Sequence, residues 1–107
     1  MKWSREGIMV PTCIFEAGTI DGSVQVTCKC GHASRFDAKP LWWHFQRRGW
    51  DDNFGRARMR FWCRVCRSRI GKKVRPASIE SVRWIKGDFE LPWPDQQTWK
   101  RATARVR

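Results

Sequence analysis

Two close cysteine pairs, Cys28-Lys29-Cys30 and Cys63-Arg64-Val65-Cys66, stand 32 residues apart in a chain of 107. Four thiolates offered from two short turns make the tetrahedral set that a structural zinc ion takes. The Cys63-x-x-Cys66 spacing is usual for such a turn, whereas the single-residue gap between Cys28 and Cys30 is tighter. His32 follows at once, so Cys30 with His32, or Cys28 with His32, is the alternative first half. The expected ligands are Cys28, Cys30, Cys63 and Cys66 with His32 as the substitute, and the expected cofactor is Zn2+. Disulfides are the competing reading, but an odd fifth cysteine in a chain expected to be cytoplasmic fits them poorly. A redox pair would need a thioredoxin-like unit, for which this chain lacks the length and the helices. Cys13, alone in the apolar run from Ile8 to Phe15, reads as a small buried hydrophobe.

Charge gathers around the same cysteines. Residues 28–75 hold 14 basic and 3 acidic side chains, which accounts for nearly all of the formal net charge of +12. Charge spread for solubility alone would have no reason to concentrate there. Arg58, Arg60, Arg64, Arg67, Arg69, Lys72, Lys73 and Arg75 crowd the second pair, and Arg accounts for 15 of the 22 cations in the chain. The planar guanidinium suits bidentate contact with phosphate and stacking on bases. Trp62 sits within the run, and Trp43 with Arg47 four residues on offers a second aromatic and cation pair. The expected nucleic-acid-binding set is therefore Arg58, Arg60, Trp62, Arg64, Arg67, Arg69, Lys72 and Lys73 with Trp43 and Arg47. Three blander readings stand beside it: Trp62 as a core residue, Arg on indole as an internal cation–π contact, and the run as a solvated face.

The elements that must position these residues can be read from patterning. Val24, Val26 and Cys28 alternate with Gln25 and Thr27, which predicts a half-buried strand into the first pair, and Ser34 to Phe36 reads as its return after a turn at Gly31. Pro40 suits the first turn of a helix over 40–48 that ends at Gly49. Asp51 or Asp52 can cap one more short turn. Met59 and Phe61 then alternate with Arg58, Arg60 and Trp62, predicting a second strand into Cys63 with the arginines and Trp62 on one face. Further on, Ser81 to Lys86 reads as a strand, Pro92-Trp93-Pro94 as extended, and Asp95 as the start of a short basic helix through Trp99 and Ala102.

Strand, CKCGH, short helix, a strand ending RFW, then CRVC: over roughly residues 24–69 this order resembles a zinc ribbon with a helix inserted between its knuckles. The resemblance implies an α+β fold with short antiparallel strands and a closed four-cysteine zinc site. The domain plan that follows is an N-terminal extension packing on the ribbon (1–23), the ribbon with its inserted helix (24–75) and a basic, aromatic C-terminal extension (76–107). Ribbons of this kind occur in transcription factors, polymerase subunits, ribosomal proteins and protein-binding adaptors, so the resemblance specifies metal and fold rather than function.

Leu, Ile, Val and Phe make up only 21 residues, close to the ~20% below which a highly charged chain tends to disorder, but eight Trp supply large buried area per residue. A core that small calls for a staple, as the cysteines suggest. No apolar run approaches the ~18 residues of a membrane helix. The opening MKWSREGIMV has no signal-peptide core, so the expected location is cytoplasmic and no membrane partner is expected. HExxH, the nucleophile elbow, the P-loop and the His-x-Glu of a zinc deaminase are all missing, so neither an enzyme nor a small-molecule substrate is expected. No long recognition helix with polar base-reading residues is visible, which argues against sequence-specific DNA reading. The expected function is a small zinc-binding protein contacting DNA or RNA within a transcription or translation assembly. The alternative is an adaptor whose basic ribbon docks an acidic surface of a larger enzyme complex.

Overall fold

The alternating segment forms a strand with partners on both sides. The computed structural model describes residues 2–3 and 9–105. Strand β3 (Ser23–Thr27) is the centre of a three-stranded antiparallel sheet of order β4-β3-β5, flanked by β4 (Ala33–Asp37) and β5 (Ser78–Val82). Val24 faces Phe36 on one side and Ser81 on the other, and Val26 faces Ser34 and Ile79. Upstream lie the short pair β1 (Lys2–Trp3) and β2 (Met9–Val10) and the helix α1 (Ile14–Thr19).

Helix α2 spans Ala38–Arg48, starting two residues before the expected position. Its buried stripe is Ala38, Leu41, Trp42 and Phe45, at the spacing that turns one helical face inward. Burying Leu41 and Phe45 fully contributes about 1.5–3 kcal/mol each. Arg47 and Arg48 occupy the last turn, where cations complement the helix dipole. Gly49 then ends the helix at φ 67°, its N–H bonding back to the Gln46 and Phe45 carbonyls. This left-handed position costs an L side chain about 1–2 kcal/mol. Gly49→Ala should therefore reduce the unfolding free energy by about that amount, read as a lower urea midpoint with an unchanged m-value.

Two more helices close the core. α1 packs on α2, and α5 (Gln96–Arg105) lays Trp99 across both, 5.3 Å from the Phe15 ring and 5.2 Å edge-on from Trp42. Gly18 of α1 admits the Trp99 ring, because a Cβ there would stand 2.8 Å from its edge. Asp95 accepts from the Thr98 N–H and caps α5 as expected. One hydrophobic cluster joins Ile14 and Ala17, Val24, Phe36 and Leu41, and Phe89, Leu91 and Trp99, so residues before, within and after the cysteine segment share it.

The region between α2 and the second cysteine pair differs from expectation. Residues 58–62 do not form a strand: a short helix α3 (Phe54–Ala57) runs into a 3-10 turn at Arg58–Arg60, and residues 61–63 follow without regular structure. Asn53 caps α3 by accepting from the Gly55 N–H, while Asp51 accepts from the Asn53 N–H and Asp52 from the Phe15 N–H. With that helix nucleated, alternation across 58–62 no longer sorts side chains onto two faces. The place beside β3 goes to β5, which begins three residues before the expected strand and stops at Val82. The segment after it is tied back by Ser23, whose buried hydroxyl accepts from the Ile85 N–H and donates to the Ile85 carbonyl, each at 2.9 Å.

Candidate metal centre

The turn that closes the β3–β4 hairpin places the first pair. The Cys28 N–H donates to the His32 carbonyl at 2.9 Å and the Gly31 N–H to the Cys28 carbonyl at 3.0 Å, which brings Cys30 back over Cys28. The second pair opens helix α4 (Arg64–Ile70) instead of ending a strand: Cys63 is its cap, and its Sγ accepts from the Cys66 N–H at 3.4 Å. The Cys63 N–H is held by the Val74 carbonyl at 2.9 Å, so the chain after α4 braces the site. A hairpin turn and a helix start thus face one another.

All four sulfur atoms lie within 4.8 Å of one another, and the Cys28–Cys66 and Cys30–Cys63 pairs are each 3.6 Å apart. A tetrahedral ion about 2.3 Å from each thiolate would set sulfurs roughly 3.8 Å apart. The four side chains therefore fit a thiolate-bound metal ion, and all four cysteines are free of disulfides. Two of the thiols are perturbed in opposite directions. Burial would raise the Cys63 thiol, but the Cys66 N–H and the neighbouring thiols outweigh it and draw it down to about 7. The Cys66 thiol is pushed up to about 12, first by its hydrogen bond with Cys28 and then by burial. One easily ionised thiol, Cys63, beside one reluctant one, Cys66, is the electrostatic pattern that a divalent cation relieves.

His32 stands next to this group and outside it. Its Nε2 is 3.4 Å from the Ser34 hydroxyl. Cys13 is likewise apart, its backbone bridged to Asn53. Burial, with smaller contributions from Asp52 and Glu16, pushes its thiol up to about 11. Iodoacetamide at pH 8 should therefore alkylate Cys13 at least about tenfold more slowly than an unperturbed thiol, as read by mass spectrometry of the metal-loaded protein.

The basic residues do not share one strand face. Arg58 is half-buried and donates to the Pro76 and Ala77 carbonyls, so it braces the chain leading into β5. Arg75 similarly donates to the Phe61 carbonyl and Arg67 to the Gly71 carbonyl. Arg60 lies 4.5 Å over the Trp50 ring and Arg64 4.9 Å over the Phe89 ring. Trp62 is 41% exposed, with the Lys73 ammonium 5.6 Å above it, so it is no core residue. Arg60, Arg64, Arg67, Arg69, Lys72 and Lys73 all face solvent. Trp43 and Arg47 pair with each other at 5.6 Å on α2, outside the thiol group. Among the described residues the ion pairs are Lys39–Asp21 and Arg56–Asp51, and none of the cations of 58–75 is in one. Nor does the sequence hold an acidic residue anywhere between Asp52 and Glu80.

Patterning also missed a cavity of about 380 Å3 beside the thiols, walled in part by Trp50, Phe61 and Phe89. Phe89 lies far along the chain from Arg64, and no local spacing signals their meeting. Two hydrogen bonds, from the Asp88 N–H to the Arg35 carbonyl and from the Arg35 N–H to the Asp88 side-chain carboxylate, each 2.8 Å, bring it there.

Among the described residues no helix is long and apolar enough to cross a membrane. Comparison with protein-family models, with curated proteins and with solved structures finds no match to this chain.

Proposed function

We propose that this chain is a zinc-binding protein whose basic face binds nucleic acid. Zinc is favoured among metals by the donor set, four thiolates at tetrahedral separations, which suits zinc's preference for sulfur and closes its coordination sphere. Such a site is structural: it fastens the β3–β4 turn to the start of α4 and leaves no open position for substrate. Nucleic acid is favoured by one observation above the rest. Six solvent-facing cations, Arg60, Arg64, Arg67, Arg69, Lys72 and Lys73, flank the second cysteine pair along the chain, and among the described residues none of them is in a salt bridge. Clustered like charges repel one another, and a polyanion that neutralises them removes that cost. The resemblance to zinc ribbons is consistent with this reading, although here the second knuckle opens a helix.

The test is binding of the zinc-loaded chain to short DNA and RNA strands by fluorescence anisotropy across a salt series. If all six cations meet phosphates, the logarithm of the affinity should fall against the logarithm of salt with a slope of about −4. No measurable binding at low salt would overturn the reading and leave the basic face to an acidic protein surface.

A further inference from the structure

We infer that the cavity beside the metal centre receives one unpaired base of a single strand, so that the protein distinguishes single-stranded from duplex nucleic acid. This rests on the nucleic-acid reading of the basic face and adds what the ligand must look like there. The cavity measures about 380 Å3, within the ~300–1,000 Å3 of sites that hold small organic groups. Its apolar wall includes several aromatic rings: Phe36 stands 5.3 Å from Phe61 and 5.4 Å from Phe89, and Trp50 meets Phe45 edge-on at 5.4 Å. An apolar wall of this kind cannot offset the desolvation of a phosphate, so the bound group must present flat apolar faces.

The rim imposes the opposite requirement. Arg60 over Trp50 and Arg64 over Phe89 set a guanidinium on each of two aromatic rings that line the cavity. The lining sets these two guanidinium groups against one carboxylate, Glu90, with which neither forms a salt bridge, so a purely apolar guest would leave positive charge unmatched. A guest with a flat ring inside and an anion at each side satisfies wall and rim together, and a nucleotide within a strand has that form: base in the cavity, its two flanking phosphates at Arg60 and Arg64. Polar groups that can meet a base edge are present as well. His32 and Ser34 line the cavity, and Glu90 adds a carboxylate that can accept from an exocyclic amino group. A base within a duplex keeps its faces stacked on its neighbours and cannot enter, which makes strandedness the selected property.

The experiment changes the nucleic acid and leaves the protein intact. The zinc-loaded chain is titrated, at two salt concentrations, with a short labelled single strand, with a strand of the same length built from abasic residues, and with the corresponding duplex. The expected result is at least a fivefold weaker affinity for the abasic strand with a salt slope like that of the base-bearing one, and a similarly weak affinity for the duplex. Equal affinity for the base-bearing and abasic strands would overturn the pocket assignment while leaving the basic face intact, and would point to a protein side chain as the guest. Absence of binding to all three would instead remove the nucleic-acid reading on which the assignment stands.

Discussion

Cys63→Ser should yield a chain that holds no stoichiometric zinc and has lost its near-ultraviolet tryptophan dichroism. Cys63 has two tasks at once: its Sγ is one of the four clustered sulfurs, and it caps α4 by accepting from the Cys66 N–H. A serine hydroxyl could cap the helix but is a poor zinc ligand, so the substitution separates the two tasks. Structural zinc contributes about 10–16 kcal/mol to folding, as much as or more than the ~5–15 kcal/mol by which ordinary domains are stable. This chain has only two Leu and a core assembled from large rings, so little else can replace that contribution. Native mass spectrometry and circular dichroism read the two losses together. Chelation of the unaltered protein should reproduce both, and added zinc should restore them. His32→Ala should keep its zinc, because the His32 ring sits beside Ser34 and outside the sulfur group. A folded, zinc-free Cys63→Ser protein would refute the staple.

Acid should release the metal for a related reason. The thiols bind as thiolates, and the Cys66 thiol, pushed up to about 12, must give up its proton for the ion to enter. Protons therefore compete increasingly as pH falls, so the apparent zinc affinity should drop with decreasing pH and zinc binding should release protons. Competition with a metal-sensitive dye at several pH values measures the slope, and a pH-independent affinity would contradict thiolate ligation.

How much of this was legible in the sequence follows from where each signal resides. The hairpin of Val24 and Phe36, the helix ending at Gly49 and the capped helix after Asp95 all carry local signals, namely alternation, a left-handed stop and a capping carboxylate. The α+β class and the four clustered cysteines were readable from those signals and from cysteine spacing. The segment Arg58 to Trp62 misled because alternation of Arg with Met and Phe fits an extended chain, yet the strand position beside β3 is decided by a pairing with β5 that no local pattern reports. Asn53, one residue past the two aspartates expected to cap, nucleated a helix instead. Arg58 then turned inward to the Pro76 and Ala77 carbonyls, which separates it from the solvent-facing cations. The cavity was hidden for the same reason: Phe89 reaches it through hydrogen bonds between residues far apart in the chain.

That correction determines which charge reversal has the greatest effect on binding. Arg60→Glu with Arg64→Glu should weaken nucleic-acid binding strongly while zinc content and tryptophan dichroism stay as they were. Both side chains are exposed, and neither donates to a backbone carbonyl as Arg58 does, so the fold loses little beyond two cation–π contacts of about 0.5–1 kcal/mol each. The binding cost is larger, since two cations vanish and two anions replace them within a segment, residues 53–79, that has no carboxylates of its own. With six phosphate contacts, raising salt from about 50 to 200 mM should weaken the unaltered protein by roughly 300-fold on a single strand; with four contacts the same step costs roughly 50-fold. The double variant should therefore show both a lower affinity at low salt and a shallower slope. Arg101→Glu with Arg105→Glu on α5 makes the same change in net charge outside residues 58–75 and serves as the control. If the α5 pair weakened binding as much as the Arg60 and Arg64 pair, net charge alone would explain the affinity, and the face around the metal centre would lose its claim to be the site.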